Sequence, residues 1–243
     1  MVLNQVAHEK GIYVIELQHG TMAKNHIAYH YESDGNIKNL PDEILFFSDY
    51  WKNMVKLPSN VELVSTGFPY FETQKEKYPS KLHTKQTILF ISQGTIGVYL
   101  SQFAVELFSK IDKNKYKIMY KLHPGEYFEW EKRYPWLKQS EVNVIDDNSR
   151  SIYELFAVSD IQIGVYSTAL YEGLGYYLDT YIYGVGEYEE MEKVIENGYG
   201  KLVFSVDELL ELLGSNSGKC NNMDFWKTDA LNNIMQEIEK RCD

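Results

Sequence analysis

The stretch that decides the fold runs from Asp160 to Gly175: Asp-Ile-Gln-Ile-Gly-Val-Tyr-Ser-Thr-Ala-Leu-Tyr-Glu-Gly-Leu-Gly. Ile161 to Val165 is a short apolar run interrupted only by Gln162 and Gly164, as a buried parallel strand requires. It stops at Ser167-Thr168, both good N-cap residues, and Ala169-Leu170-Tyr171-Glu172 then favours helix. A strand that turns straight into a helix leaves unpaired N–H groups and the positive end of the helix dipole at its carboxyl end, a setting for a phosphate. Glu172 falls on the same helical face as Thr168, one turn on, where a carboxylate can accept hydrogen bonds from ribose or sugar hydroxyls. A capped helix in any α/β domain would read the same way from these residues alone.

Outward from this stretch, strands and helices alternate. Strands are expected at residues 87–92, 116–122, 142–145, 180–183 and 201–204. Helices are expected at 98–111, around 127–134, and at 151–158, 187–197, 206–213 and 224–241. This alternation predicts a doubly wound, Rossmann-like parallel sheet, which binds ligands at the carboxyl ends of its strands. Upstream, a helix over 2–10, strands over 12–17, 44–48 and 62–65, and a helix over 49–55 make a smaller α/β unit that reads as lacking strands. The charged run 72–86, with Pro79, reads as a linker. The expected domains are therefore 1–71, a linker at 72–86, and 87–243 with its C-terminal helix.

The composition narrows the function. With 243 residues, 44% of them hydrophobic, the chain can build real cores, and a formal charge of −11 argues against a broad nucleic-acid surface. Cys220 and Cys242 alone allow no disulfide framework or four-thiolate zinc site, and they fit a reducing cytoplasm. No signal peptide or membrane span is legible, so membrane association would be peripheral, at the inner face.

Three turns carry polar residues suited to chemistry. Gln18-His19-Gly20-Thr21 with Lys24 places an imidazole after a strand, where it can take a proton near neutral pH or simply bond a neighbouring carbonyl. His26 and His30 raise the question of a metal, but no Cys or acidic residue stands at ligand spacing. Lys121-Leu122-His123-Pro124-Gly125 ends a strand with a histidine and a lysine able to meet a phosphate, or is a plain turn. Ser92-Gln93-Gly94-Thr95 allows close backbone approach to a ligand. A Walker sequence, a full G-x-G-x-x-G, an Asp-x-Asp pair and a G-x-S-x-G turn are all lacking, which favours metal-independent chemistry without a bound cofactor.

Taken together, these residues resemble the GT-B glycosyltransferase superfamily, in particular the polysialyltransferase-like, Kdo-transferase-like and CDP-glycerol glycerophosphotransferase-like enzymes of bacterial capsule and cell-wall polymers. The resemblance is carried by His19-Gly20-Thr21 with Lys24, Thr66-Gly67-Phe68-Pro69, His123-Pro124, and Ser167-Thr168 with Glu172, and it spans roughly residues 11–213. The first domain departs from the family in its missing strands. Leu178-Asp179 departs too, standing where such proteins often have a small residue and proline. The resemblance implies a nucleotide-sugar or nucleotide-polyol donor as substrate and a glycan or lipid-linked acceptor. Catalytic roles would fall to His19 and Lys24, and nucleotide binding to Gln93, Gly94, Lys121, His123, Ser167, Thr168 and Glu172. A UDP-sugar 2-epimerase shares this fold, and a non-catalytic GT-B unit that binds nucleotide or a partner subunit is a third reading.

Overall fold

The computed structural model describes residues 2–22, 26–32, 35, 37–82, 84–214 and 225–242. Lys24, Cys220 and Asp224 lie outside the described residues. The chain divides into two compact units, residues 1–74 with 223–243, and residues 75–222. The elements of the first half are α1 (Val2–Glu9), β1 (Ile15–Leu17), β2 (Glu43–Phe46), α2 (Asp49–Lys52), β3 (Glu62–Ser65) and α3 (Pro69–Lys77). The second sheet is built by β4 (Gln86–Ile91), α4 (Gly97–Lys110), β5 (Tyr116–Lys121), α5 (Trp130–Arg133), α6 (Pro135–Gln139), β6 (Asn143–Ile145), α7 (Ile152–Ala157), β7 (Ile161–Gly164), α8 (Thr168–Gly175), β8 (Asp179–Tyr183), α9 (Glu192–Glu196) and β9 (Lys201–Val203). Helices α10 (Val206–Gly214) and α11 (Ala230–Glu239) follow. No helix among the described residues is long and apolar enough to cross a membrane.

In the second unit six parallel strands lie in the order β6-β5-β4-β7-β8-β9. The chain starts in the middle at β4, builds outward through β5 and β6, then returns to the other side of β4 with β7. That reversal makes a crevice at the carboxyl ends of β4 and β7. Both faces of such a sheet must be covered, and its central strands are accordingly buried throughout, from Thr87 to Ile91 and from Ile161 to Gly164. One face packs Ile88, Phe90, Ile118 and Tyr120 against Leu100, Phe103, Ala104 and Leu107, which recur along α4 at helical spacing. On the other face fully buried Gln162 donates to Leu170 O at 2.7 Å and to Thr180 Oγ1 at 2.8 Å, and so ties α8 and β8 to β7. Gly173 permits this approach, since a Cβ there would stand 2.0 Å from the Gln162 amide oxygen.

The first unit holds a three-stranded parallel sheet, β1-β2-β3, with β2 buried along its whole length. Its core is completed from the far end of the chain. Trp226 stacks on Phe71 at 4.5 Å and on Phe68 at 5.8 Å, Trp51 donates to Phe225 O at 2.9 Å, and Lys227 N donates to Phe47 O at 2.8 Å. Gly67, at φ +107°, lets the chain pass, because a Cβ would lie 2.4 Å from Lys227 O. Residues 223–243 thus group with the first unit, whereas the sequence had suggested one domain over 87–243. Nor is 72–86 a plain linker. Helix α3 covers its first part, anchored by buried Phe71 and by Glu72, which accepts from Ala230 N at 3.0 Å. The helix expected at 127–134 shortens to α5, because Pro135 holds Tyr134 out of the helical region at φ −126°, ψ 62°, and a further short helix, α6, starts at that proline.

Candidate functional site

A cavity of about 460 Å³ lies at the carboxyl ends of β4, β5 and β7, at the reversal point of the strand order. Each strand supplies the turn the sequence had marked: Ser92 and Gln93 after β4, Lys121 and His123 at the end of β5, Ser167 and Thr168 before α8. Gly94 and Glu172 are not among the lining residues.

Helix α8 is capped as its sequence requires. Ser167, in extended backbone, accepts from Leu170 N at 3.3 Å, and the first N–H groups of the helix have no partner within it. Ser167, Thr168 and Ala169 line the cavity, so the positive end of the helix borders it.

His123 caps the short turn that follows β5. Its Nδ1 accepts from Gly125 N at 3.1 Å, which fixes the tautomer with the proton on Nε2 and leaves that nitrogen a donor. Lys121 is 8% exposed; its ammonium donates to Asp147 O at 2.7 Å and to the Tyr127 hydroxyl. Burial pulls its pKa below the usual lysine value, and Asp147 and Asp146 push it back up. Tyr127, Asn148 and Arg150 complete the wall on the β6 side. The buried Oε1 of Gln93 has no hydrogen-bond partner among the described residues and can accept from a ligand.

Beneath the cavity lies a network the sequence reading missed. Glu126, 1% exposed, accepts from His123 N at 2.8 Å, from Ser92 Oγ at 3.1 Å and from the Tyr134 hydroxyl at 2.6 Å. Burial and the Glu126 carboxylate raise the Tyr134 pKa, which keeps that phenol a donor. One carboxylate therefore locks the turns after β4 and β5 together. Its only signal in the sequence is the capping-box spacing His123-Pro124-Gly125-Glu126. On the outer side Arg133 Nη2 donates to Gly94 O at 2.8 Å, and Thr95 and Tyr166 share a 2.7 Å hydroxyl contact.

Glu172 is engaged within the protein, accepting from the Tyr153 hydroxyl at 2.6 Å. Burial holds its carboxyl up at about 7, while the Tyr153 bond draws it down. Because the folded pKa exceeds the ordinary value of 4.5, the folded chain keeps a proton that the unfolded chain gives up. The stabilising effect is complete below pH 4.5 and is lost as pH rises toward about 7, beyond which it is gone. A loss of at most about 3 kcal/mol is expected over that window. Urea midpoints from pH 5 to 8 should fall more steeply for the wild type than for Glu172→Gln, and parallel curves would remove Glu172 as the cause.

His19 belongs to the first unit and is exposed. Gln18 holds its turn, donating to Gly20 O at 2.8 Å and accepting from Phe47 N at 2.9 Å. His30 Nδ1 contacts His26 O at 3.1 Å, and no group of three His, Cys, Asp or Glu among the described residues is placed to hold a metal.

No family model and no curated protein matches the sequence. Solved structures do. The wall teichoic acid polymerase TagF soaked with CDPG is similar with a TM-score of 0.55 at 12% identity, over 96% of this chain and 69% of that one. A protein assigned as a UDP-N-acetylglucosamine 2-epimerase from Listeria monocytogenes gives 0.66 at 15% identity, over 99% and 71%. The Methanocaldococcus jannaschii UDP-GlcNAc 2-epimerase, in complex with UDP-GlcNAc and UDP, gives 0.60 at 11% identity, over 97% and 71%. At such identities the likeness speaks to architecture alone, and that architecture is a GT-B-like α/β fold with a doubly wound, Rossmann-like second unit.

Proposed function

We propose that the second unit binds the nucleotide portion of an activated donor, and that the chain transfers a glycosyl or polyol-phosphate group from it to a glycan or lipid-linked acceptor in surface polysaccharide synthesis. The observation that carries this reading is the convergence of three kinds of anion donor on one cavity: the α8 amides behind Ser167, the His123 Nε2–H and the Lys121 ammonium.

When the donor's bond to the transferred group breaks, negative charge grows on the leaving phosphate. Fixed donors that already point at it lower the barrier, because nothing has to reorganise at that moment. Lys121 and His123 are fixed by the Asp147 carbonyl and the Gly125 amide, and Gln93 supplies an acceptor for a hydroxyl of the donor. Glu172, which lies outside the cavity lining and is held by Tyr153, is assigned no ligand contact in this reading. His19, with Lys24, serves the acceptor side, taking the proton of the attacking hydroxyl, and the resemblance to the glycerophosphotransferase loop supports that assignment. The attacking oxygen forms the new bond as the nucleotide leaves with the electron pair.

Ser167→Asp provides the test. Aspartate is as good an N-cap as serine, so the helix should keep its stability, but a carboxylate then stands where the phosphate is to bind. Calorimetry against CMP-, CDP- and UDP-linked donors should show one class bound by the wild type and at least about tenfold weaker in the variant, equivalent to 1.4 kcal/mol. Unchanged affinity would remove this cavity as the phosphate site. The similarity to 2-epimerase structures supports a second reading, interconversion of the sugar of a UDP donor. Incubating a UDP-sugar without acceptor separates the two, since only an epimerase would then change the sugar.

A further inference from the structure

A second cavity, of about 470 Å³, opens in the same unit, lined by Thr87, Lys117 and Met119 of β4 and β5. Thr87 pairs with Lys117 at the amino-terminal ends of these strands, and Ile91 with Lys121 four residues later, so both cavities lie along one face of the sheet. Met119 and Val158 give this cavity an apolar floor, and Lys81, Lys85, Lys117 and Arg150 surround it. No carboxylate among the described residues lines it. Glu154 accepts from Arg150 Nε at 2.9 Å and Asp160 accepts from Thr87 N at 2.8 Å, and Lys81 and Asp160 are each engaged in a further interaction as well. Lys85 donates to a neutral carbonyl, Lys113 O, at 3.0 Å.

Cations gathered round one hollow repel one another, and the chain as a whole has a charge of −11, so a basic concavity runs against its general electrostatics. We propose that this cavity is a second anion site, which takes the phosphates of a small phosphorylated ligand of the di- or triphosphate class. The apolar floor receives the organic part of such a ligand, and the two threonine hydroxyls, Thr84 and Thr87, stand among the cations. Arg150 lines both cavities, and its Nε bond to Glu154 leaves the terminal nitrogens of the guanidinium to turn toward either. Occupation of one cavity then weakens binding at the other, and by thermodynamic reciprocity each ligand lowers the affinity of its counterpart by the same factor. The site itself does not depend on what the first cavity binds.

Inorganic pyrophosphate titrated into the full chain at low ionic strength, followed by calorimetry, tests the site. Lys85 and Lys117 are exposed, so charge reversal leaves the fold intact, which circular dichroism checks. Lys85→Glu with Lys117→Glu should weaken pyrophosphate binding at least about tenfold. A milder pair, Lys85→Ala with Lys117→Ala, should weaken it about threefold. Ser167→Asp should keep a binding component that the lysine variants lose. The proposal is overturned if pyrophosphate gives no binding heat up to millimolar concentration, or if its affinity survives both lysine pairs and falls only with Ser167→Asp.

Discussion

Glu126→Ala should cost the second unit about 4 kcal/mol, because it removes the acceptor of three buried or partly buried donors at once. The His123 amide, the Ser92 hydroxyl and the Tyr134 hydroxyl all end on this carboxylate. Tyr120, fully buried, donates in turn to Ser92 Oγ at 3.0 Å, so the loss spreads one bond further. Relief by movement of the neighbouring helix is blocked on one side. Gly97, at the start of α4, already lies so close to Tyr134 that a Cβ there would stand 2.1 Å from its hydroxyl. Glu126→Gln should cost much less, about 1 kcal/mol, since the amide oxygen can serve the His123 N–H while the hydroxyls rotate to accept from the amide nitrogen. Denaturant unfolding measures both. In the alanine variant the His123 turn is also released, so the donor binding proposed for this cavity should weaken along with stability. A Glu126→Ala protein as stable as the wild type would show that the network holds nothing.

Trp226→Ala should have a comparable effect on the first unit, about 4 kcal/mol. The indole is 5% exposed and meets Phe71, Phe68 and Phe47 at 4.5, 5.8 and 5.3 Å. Its removal opens a ring-sized hole at the centre of the aromatic cluster that packs this three-stranded sheet. Limited proteolysis locates the damage. Cleavage should appear within residues 1–74 and 225–242 while residues 84–214 remain protected. Equal protection of both units would contradict the assignment of residues 223–243 to the first.

The sheet of the second unit was legible in the sequence because each strand is a local apolar run and each marked turn is a local stop signal. Ser167, His123-Pro124 and Gln93 bring their signals with them, and one cavity at the strand ends gathers these three turns. What the sequence hid was partnership at a distance. Glu126 reads as an ordinary turn residue until Ser92, 34 residues away, and Tyr134 are seen to donate to it. Glu172 reads as a free carboxylate until Tyr153 reaches it from α7. The pairing of Trp51 with Phe225 spans 174 residues, and no periodicity within either segment announces it. Helix α3 escaped notice because only Phe71 of its nine residues is buried, which is too little for an apolar stripe.

The return of residues 225–242 to the first unit also sets an order of events during synthesis. A growing chain leaves the ribosome amino end first, and its domains generally fold as they emerge. Here the rings of Phe47, Trp51 and Phe71 must wait until Phe225 and Trp226 have been translated, whereas residues 75–222 carry everything their own sheet needs. The part of the first unit that precedes residue 75, although translated before residues 75–222, therefore closes only after them, and its rings stay uncovered in the meantime.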